Sequence, residues 1–209
     1  MRVIAGSAGG IRLDVPKSEV RPTMDRVKAA IFSSLGEEII EATVLDLFAG
    51  TGALGIEALS RGAASALFVE ENSAAVACIE RNLARTKMKG SVRKQEVFAF
   101  LRSAQGRDPF RIIFADPPYE KSKSGGEFTQ LLLENVALAE MIEPAGIFVL
   151  EKRPSETMPP TPLWEITRSR KYGATEVLFL QRSVIPSEVE GSRDETDRLR
   201  HGMSRLRST

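Results

Sequence analysis

The segment Asp116-Pro117-Pro118-Tyr119 directly follows a short apolar run, Ile112–Ala115. Its two prolines carry no N–H and stiffen the chain. Carbonyls around them are left without the partners a regular strand supplies. An ionised Asp116 only accepts hydrogen bonds. Tyr119 offers a flat face on which a base can stack, a contact worth about 1–3 kcal/mol per base in single-strand recognition. Acceptors beside a stacking face suit an exocyclic –NH2 group on a planar ring. The lone pair of such an amine is delocalised, and holding both N–H groups turns it toward an electrophile. Positioning and electrostatics then carry the rate, since well-oriented reactants reach effective molarities of about 10⁵–10⁸ M. Without chemistry, the same residues read as a proline-stiffened loop after a strand.

A second constellation lies upstream. Asp46-Leu47-Phe48-Ala49-Gly50-Thr51-Gly52-Ala53-Leu54-Gly55 joins an apolar run to a helical pattern, and Gly50, Gly52 and Gly55 fit G-x-G-x-x-G. Glycines allow a tight turn and close approach of a ligand to the backbone. That pattern alone fits a dinucleotide fingerprint equally well. Glu70, at the end of the next apolar run, is placed to accept both hydroxyls of a ribose, a device used with either ligand. Asp46 separates the two. A carboxylate at this strand end suits a ligand carrying an ammonium group, such as S-adenosylmethionine (SAM), and suits a pyrophosphate poorly. Glu71 follows Glu70, and Asn72 or Ser73 is a helix cap. Glu96-Val97 ends a third run. There Glu96 either touches an adenine amine or favours a helix N-terminus for structural reasons.

These residues need a scaffold that brings strand ends together. Val44–Phe48, Ala66–Val69, Ser91–Lys94, Ile112–Ala115 and Ile147–Leu150 read as strands. Helices are expected from the glycine loop to Ser60, over 73–86, near 97–103 and from about Glu127 to Met141. The segments 165–170 and 176–180 read as a closing antiparallel pair. Short buried strands alternating with helices imply a mostly parallel sheet covered on both faces. Right-handed crossovers put all the strand C-termini on one rim, where ligands of such α/β sheets bind. Before this unit, residues 2–4 and 11–15 read as a β-hairpin around Ser7-Ala8-Gly9-Gly10. Thr23 is placed to cap a helix with Val27, Ile31 and Leu35 on one face, stopping at Gly36. The organisation expected is 1–36 as a substrate-facing hairpin and helix, 37–182 as the catalytic domain, and 183–209 as a disordered extension.

Composition narrows the chemistry further. The chain has 209 residues, one cysteine (Cys78) and one histidine (His201). A cysteine-based zinc site and cysteine–histidine or serine–histidine catalysis are disfavoured, and no metal is expected. With no apolar run of membrane-spanning length and no leader-like start, a cytoplasmic protein is expected. The net charge is +1, but its distribution is uneven. Residues 1–36 hold six basic residues against three acidic ones, as do residues 152–182. If both lie on one side of the fold they form a shallow basic surface. Otherwise they are solubilising charge.

Three blocks together carry a resemblance: Arg21-Pro22-Thr23-x-Asp25-Arg26-Val27-Lys28, Asp46 through Ala63, and Asp116-Pro117-Pro118-Tyr119. The chain resembles the RsmD family over roughly residues 1–182. That resemblance implies a class I SAM-dependent methyltransferase with a Rossmann-like α/β fold and a seven-stranded sheet. It implies methylation of the N2 amine of a guanine in 16S ribosomal RNA, in the small subunit or its assembly intermediate. It places Asp46, Phe48, Ala49, Gly50, Thr51, Gly52, Glu70, Glu71, Glu96 and Val97 at the cofactor, and Asp116 to Tyr119 on guanine. Arg12, Arg21, Thr23 and Arg26 are then expected to face RNA or cofactor. The hairpin here carries only Arg12 between Gly6 and Arg12, fewer charges than is typical of the family. A monomer is expected. The residues by themselves also leave open an adenine-N6 or protein-glutamine methyltransferase, an NAD(P)-dependent oxidoreductase and a noncatalytic RNA-binding factor.

Overall fold

The computed structural model describes residues 1–15, 24–104, 106, 108–118 and 127–183. Seven strands share one sheet: β1 (Thr43–Leu47), β2 (Ser65–Glu70), β3 (Ser91–Lys94), β4 (Phe110–Ala115), β5 (Ile142–Lys152), β6 (Trp164–Tyr172) and β7 (Thr175–Arg182). Their order is β3-β2-β1-β4-β5-β7-β6. β1 to β5 pair in parallel, while β7 runs antiparallel to both β5 and β6. The chain winds outward from β1 to β3, then returns to β4 on the other side of β1. The order reverses between β1 and β4, and the C-terminal ends of the strands at such a reversal are the usual ligand position in these sheets.

Among the described residues six α-helices cover the sheet: α1 (Met24–Leu35), α2 (Ala53–Ser60), α3 (Ser73–Thr86), α4 (Val97–Ser103), α5 (Glu127–Leu133) and α6 (Val136–Glu140). Alternate residues of the central strands feed two cores. One joins Val44, Phe114 and Val149 to Ile31, Phe32, Ile56 and Ile79, on the side of α1, α2 and α3. The other joins Leu45, Leu47, Ile113 and Leu150 to Phe100, Leu101, Leu132 and Leu138, on the side of α4, α5 and α6. Burial on both faces is why these strands are continuously apolar. Among the described residues, no helix is long and apolar enough to cross a membrane.

The N-terminal segment packs into the first core through Val3, Ala8 and Leu13. It is a hairpin shorter than the strands expected at 2–4 and 11–15. Arg2 and Arg12 form one antiparallel bridge, with Val3 N–H donating to the Ile11 carbonyl (2.9 Å), Gly10 N–H to the Val3 carbonyl (2.9 Å) and Leu13 N–H to the Met1 carbonyl (3.1 Å). α2 holds the segment that follows the first strand. Glu57 accepts hydrogen bonds from the amides of Ile4 (2.6 Å) and Ala5 (3.0 Å). Ser60 completes the anchor, accepting from Ala8 N–H at 2.9 Å and donating to the Ala5 carbonyl at 2.6 Å. At Gly6, with φ of 83°, a β-carbon would lie 1.8 Å from the Ser60 carbonyl oxygen, so only glycine fits.

Two further expectations are corrected. The helix expected from Glu127 to Met141 is two helices, broken at Glu134-Asn135, because the Asn135 side chain caps α6 by accepting from Leu138 N–H at 2.9 Å. The strand expected at 147–150 extends from Ile142 to Lys152 despite Pro144 and Gly146, with a register irregularity opposite Phe110–Ile112. An irregular pairing is where a strand tolerates such residues. The expectation for 183–209 falls, beyond Ser183, outside the described residues.

Candidate active site

Four strands deliver a carboxylate-bearing residue to the same rim. β1 carries Asp46 one residue before its end, and β2 ends on Glu70. β4 hands over directly to Asp116, and β5 carries Glu151 one residue before its end. Leu47 pairs with Ala115, and Ala115 with Leu150, so these ends are level across the sheet. The sheet order sets the sequence along the rim as Glu70, Asp46, Asp116, Glu151.

The glycine loop is shaped by its own backbone. Phe48, Gly50 and Gly52 have φ of 55°, 53° and 74°. At Phe48 this is an uncommon conformation for a residue with a β-carbon, and it turns the chain sharply out of β1. Glu70 fastens the loop, accepting from Gly50 N–H and from Asn72 N–H, each at 2.8 Å. Asp46 fastens the start of α2, accepting from Gly55 N–H at 2.9 Å. Gly55 lets α2 lie close on the sheet, since a β-carbon there would fall 2.3 Å from the Phe68 ring. Gly50 is different. A β-carbon on it would have only the Phe48 carbonyl within 4 Å, at 3.9 Å, so the loop presents open backbone at this point.

Electrostatics mark the same rim. The Asp46 carboxyl is pushed up to about 8, mainly by burial, against the Gly55 N–H bond and with the aid of the Asp116 and Glu70 charges. The Glu151 carboxyl is pushed well above the ordinary range by burial, then by Asp116 and Asp46. Carboxylates that raise one another's proton affinity favour any cation placed among them.

Other expected residues fall in distinct places. Glu71 is exposed. Glu96 caps α4, accepting from Phe98 N–H (2.8 Å) and Ala99 N–H (2.7 Å). Val97 is core, Ala49 is buried, and the buried Thr51 sets its hydroxyl 3.7 Å from the Met1 sulfur. Pro117 is buried and Pro118 exposed. Arg12 and Arg26 are exposed. Arg21, Thr23 and Tyr119 lie outside the described residues. The charge count overstated the surface. Lys28 is buried 3.3 Å from Glu57, and Lys152 is buried 3.2 Å from Glu176. The two basic segments do meet. Arg168 on β6 donates to the Ser34 carbonyl of α1 at 3.0 Å and stacks over Phe179.

Two features escaped the sequence. Phe48, Phe98 and Phe128 form an aromatic group, with centroids 5.5 to 6.3 Å apart, where β1 meets α4 and α5. Phe98 and Phe128 lie in α4 and α5, and nothing in their local sequence sets them apart. Glu151 lies one residue beyond the strand predicted at 147–150, and only the longer β5 places it at a strand C-terminus, where ligands of such sheets bind.

Residues 1–181 match the family described as "Conserved hypothetical protein 95". Ribosomal RNA small subunit methyltransferase D of Escherichia coli K12 is 35% identical over 196 residues, 93% of each chain. The chain belongs to the RsmD family. A second protein of that name, from Haemophilus influenzae, is 32% identical over 185 residues, 87% of this chain and 93% of its own. Among solved structures, a hypothetical protein of Thermus thermophilus superposes with a TM-score of 0.72 at 31% identity, covering 87% of this chain and 99% of that one. The fold of the RsmD family is also that of the T. thermophilus 16S rRNA N2 G1207 methyltransferase, solved with AdoMet and guanosine. The TM-score is 0.65 at 24% identity, covering 80% of this chain and 44% of that one. The fold class is therefore that of the class I SAM methyltransferases.

Proposed function

We propose that the chain is a SAM-dependent methyltransferase acting on the exocyclic N2 amine of a guanine in small-subunit ribosomal RNA. The row of carboxylates along the rim, beside an open glycine backbone, carries the reading. SAM is a cation with an ammonium and a sulfonium centre, and the row fits it. A pyrophosphate beside Asp46 would meet like charge, which disfavours the dinucleotide reading. RNA and guanine come from the named activity of the family members and from the guanosine held by the fold relative.

SAM supplies an electrophilic methyl group, whose transfer leaves S-adenosylhomocysteine and one proton to be removed from the amine. Asp46 holds the ammonium end of the donor, Gly50 presents its backbone to it, and Glu70 takes the ribose hydroxyls. Asp116 and the carbonyls around Pro117 accept the N–H groups of N2, which aims the nitrogen lone pair. Asp116 then takes the proton. Tyr119 stacks on the base, which must leave its own stack to enter. Arg12, Arg21 and Arg26, with the Arg168 side of β6, face the RNA backbone. A monomer in the cytoplasm, acting on the subunit or its assembly intermediate, completes the proposal. The N-terminal segment 1–36 serves the substrate side of the 37–182 catalytic unit.

The test is transfer of labelled methyl from SAM to unmodified small subunits, followed by nucleoside analysis. N2-methylguanosine is the expected product. N6-methyladenosine would move the chain to the adenine enzymes. Calorimetric binding of NAD without binding of SAM would overturn the methyltransferase reading altogether.

A further inference from the structure

Glu151 has no role in the scheme above, yet its position demands one. It continues the alternation of β5 in which Val149 faces the first core, and it pairs in register with Val177 of the same core. It therefore points to the side of the sheet that Asp46 shares. It is half-buried at the strand end beside Asp116 and Asp46, and no hydrogen bond or ion pair to another described residue holds its carboxyl. A carboxylate there opposes folding, and an apolar residue would pack at lower cost. Its return must come from a ligand.

The sheet order says which ligand. The donor end is gripped from β2 and β1, by Glu70 and Asp46. Glu151 lies beyond Asp116, two strands from β1, which is about 10 Å at the usual strand spacing of roughly 4.8 Å. It is therefore on the acceptor side. Next to the N2 amine of guanine stands N1–H, a second donor on the same edge of the ring. Adenine presents a bare N1 lone pair at that edge. Two carboxylates on adjacent strands match two adjacent donors, and the longer glutamate side chain helps close the gap between the strands.

We infer that Glu151 accepts the N1–H of the target guanine, so that Asp116 holds the reacting amine while Glu151 selects the base. This rests on the guanine-N2 reading above. Base choice thus resides in a residue outside the Asp-Pro-Pro-Tyr segment, which by itself specifies only a planar amine.

The test separates base selection from mere support. Small subunits are reconstituted with guanine or 2-aminopurine at the methylated position. The analogue keeps the 2-amine but has no N1 proton. The wild-type protein should prefer guanine by roughly 100-fold in kcat/KM, as expected where a buried polar group loses its partner. Glu151→Gln, whose amide also donates, should lose guanine activity and shrink that preference to below about 10-fold. Contacts elsewhere on the base cancel in this double comparison. A wild-type protein indifferent to the analogue would overturn the inference, and so would equal loss on both substrates in the variant. SAM binding by calorimetry verifies the variant's fold, with Glu151→Ala as its replacement if the glutamine form fails to bind. If the wild-type protein methylates neither substrate, the guanine-N2 reading itself fails, a different outcome from those that concern Glu151.

Discussion

The two halves of the rim are built differently. On the β1–β2 side the carboxylates are tied to backbone amides: Asp46 to Gly55, Glu70 to Gly50 and Asn72, and further along Glu96 to Phe98 and Ala99. They shape the loop and the helix starts. On the β4–β5 side, a proline-stiffened exit and a strand end set Asp116 and Glu151 in place, and Glu151 has no such tie. Under the proposed function the first is the donor half, a cradle already tied to its own backbone, and the second is the acceptor half, where the base would enter. Changes in the first half should therefore disturb binding or folding, and changes in the second should disturb chemistry.

The largest effect is expected at Asp116. On the proposed mechanism, Asp116→Ala removes an acceptor for the amine and the group that takes its proton. Methyl transfer in single-turnover assays should fall by about 10²–10⁴-fold. SAM affinity should stay within about threefold, because the donor cradle is untouched. A comparable loss of SAM affinity would erase the distinction between the halves.

Asp46→Asn should do the reverse. Its amide oxygen can still accept from Gly55 N–H, so the start of α2 is preserved. The charge facing the ammonium group is lost, which should weaken SAM binding by roughly 10–100-fold, the range for a charge-assisted hydrogen bond. Chemical denaturation of the free protein at pH 7 should show no loss of stability. With its proton affinity raised to about 8, the wild-type carboxyl is already mostly neutral there.

The same carboxyl makes a pH prediction of opposite sign for binding and for folding. Asp46 titrates near 3.8 when unfolded and near 8 when folded. Between those values the folded chain holds the extra proton, so stability falls as pH rises through the window. A cationic ligand favours the ionised form, so SAM affinity should climb from pH 6 to about 8 and then level off. At pH 7 binding should release up to about one proton. Calorimetry in two buffers of different ionisation enthalpy measures that proton directly, and Asp46→Asn should abolish it.

What was legible in the sequence follows the same division. Where local chemistry decides, the reading was close: 73–86 is a helix with its Asn72 cap, and Ser91–Lys94 and Val97–Ser103 stand where expected. The glycine loop, Asp46, Glu70 and Asp116 all reach one rim because each follows an apolar strand. Long-range partners were not legible. Nothing local says that Glu57 takes the amides of Ile4 and Ala5, or that Lys28 and Lys152 turn inward to Glu57 and Glu176. Asn135 was hidden because helical periodicity runs through it, whereas its side chain competes for the backbone and starts a new helix. Glu151 was hidden because its meaning depends on β5 lying beside β4.

The smallest expected effect is at Glu96, where the two halves can be told apart most finely. Both of its oxygens already accept from the first turn of α4. Each oxygen has a second lone pair, so an adenine amine is not shut out by the cap alone. Glu96→Ala removes the cap, and loss of such a cap costs about 1 kcal/mol of stability. A lower denaturation midpoint is therefore expected. If capping is the residue's work, SAM affinity should change by less than about threefold, because the aromatic group of Phe48, Phe98 and Phe128 still holds α4 against the loop. A fall of tenfold or more would instead assign Glu96 to the nucleoside, and Glu96→Gln, which keeps an accepting oxygen, should then recover most of it. The donor half would in that case use a single carboxylate for both fold and ligand at three successive strand ends, while β5 alone would carry one reserved for the substrate.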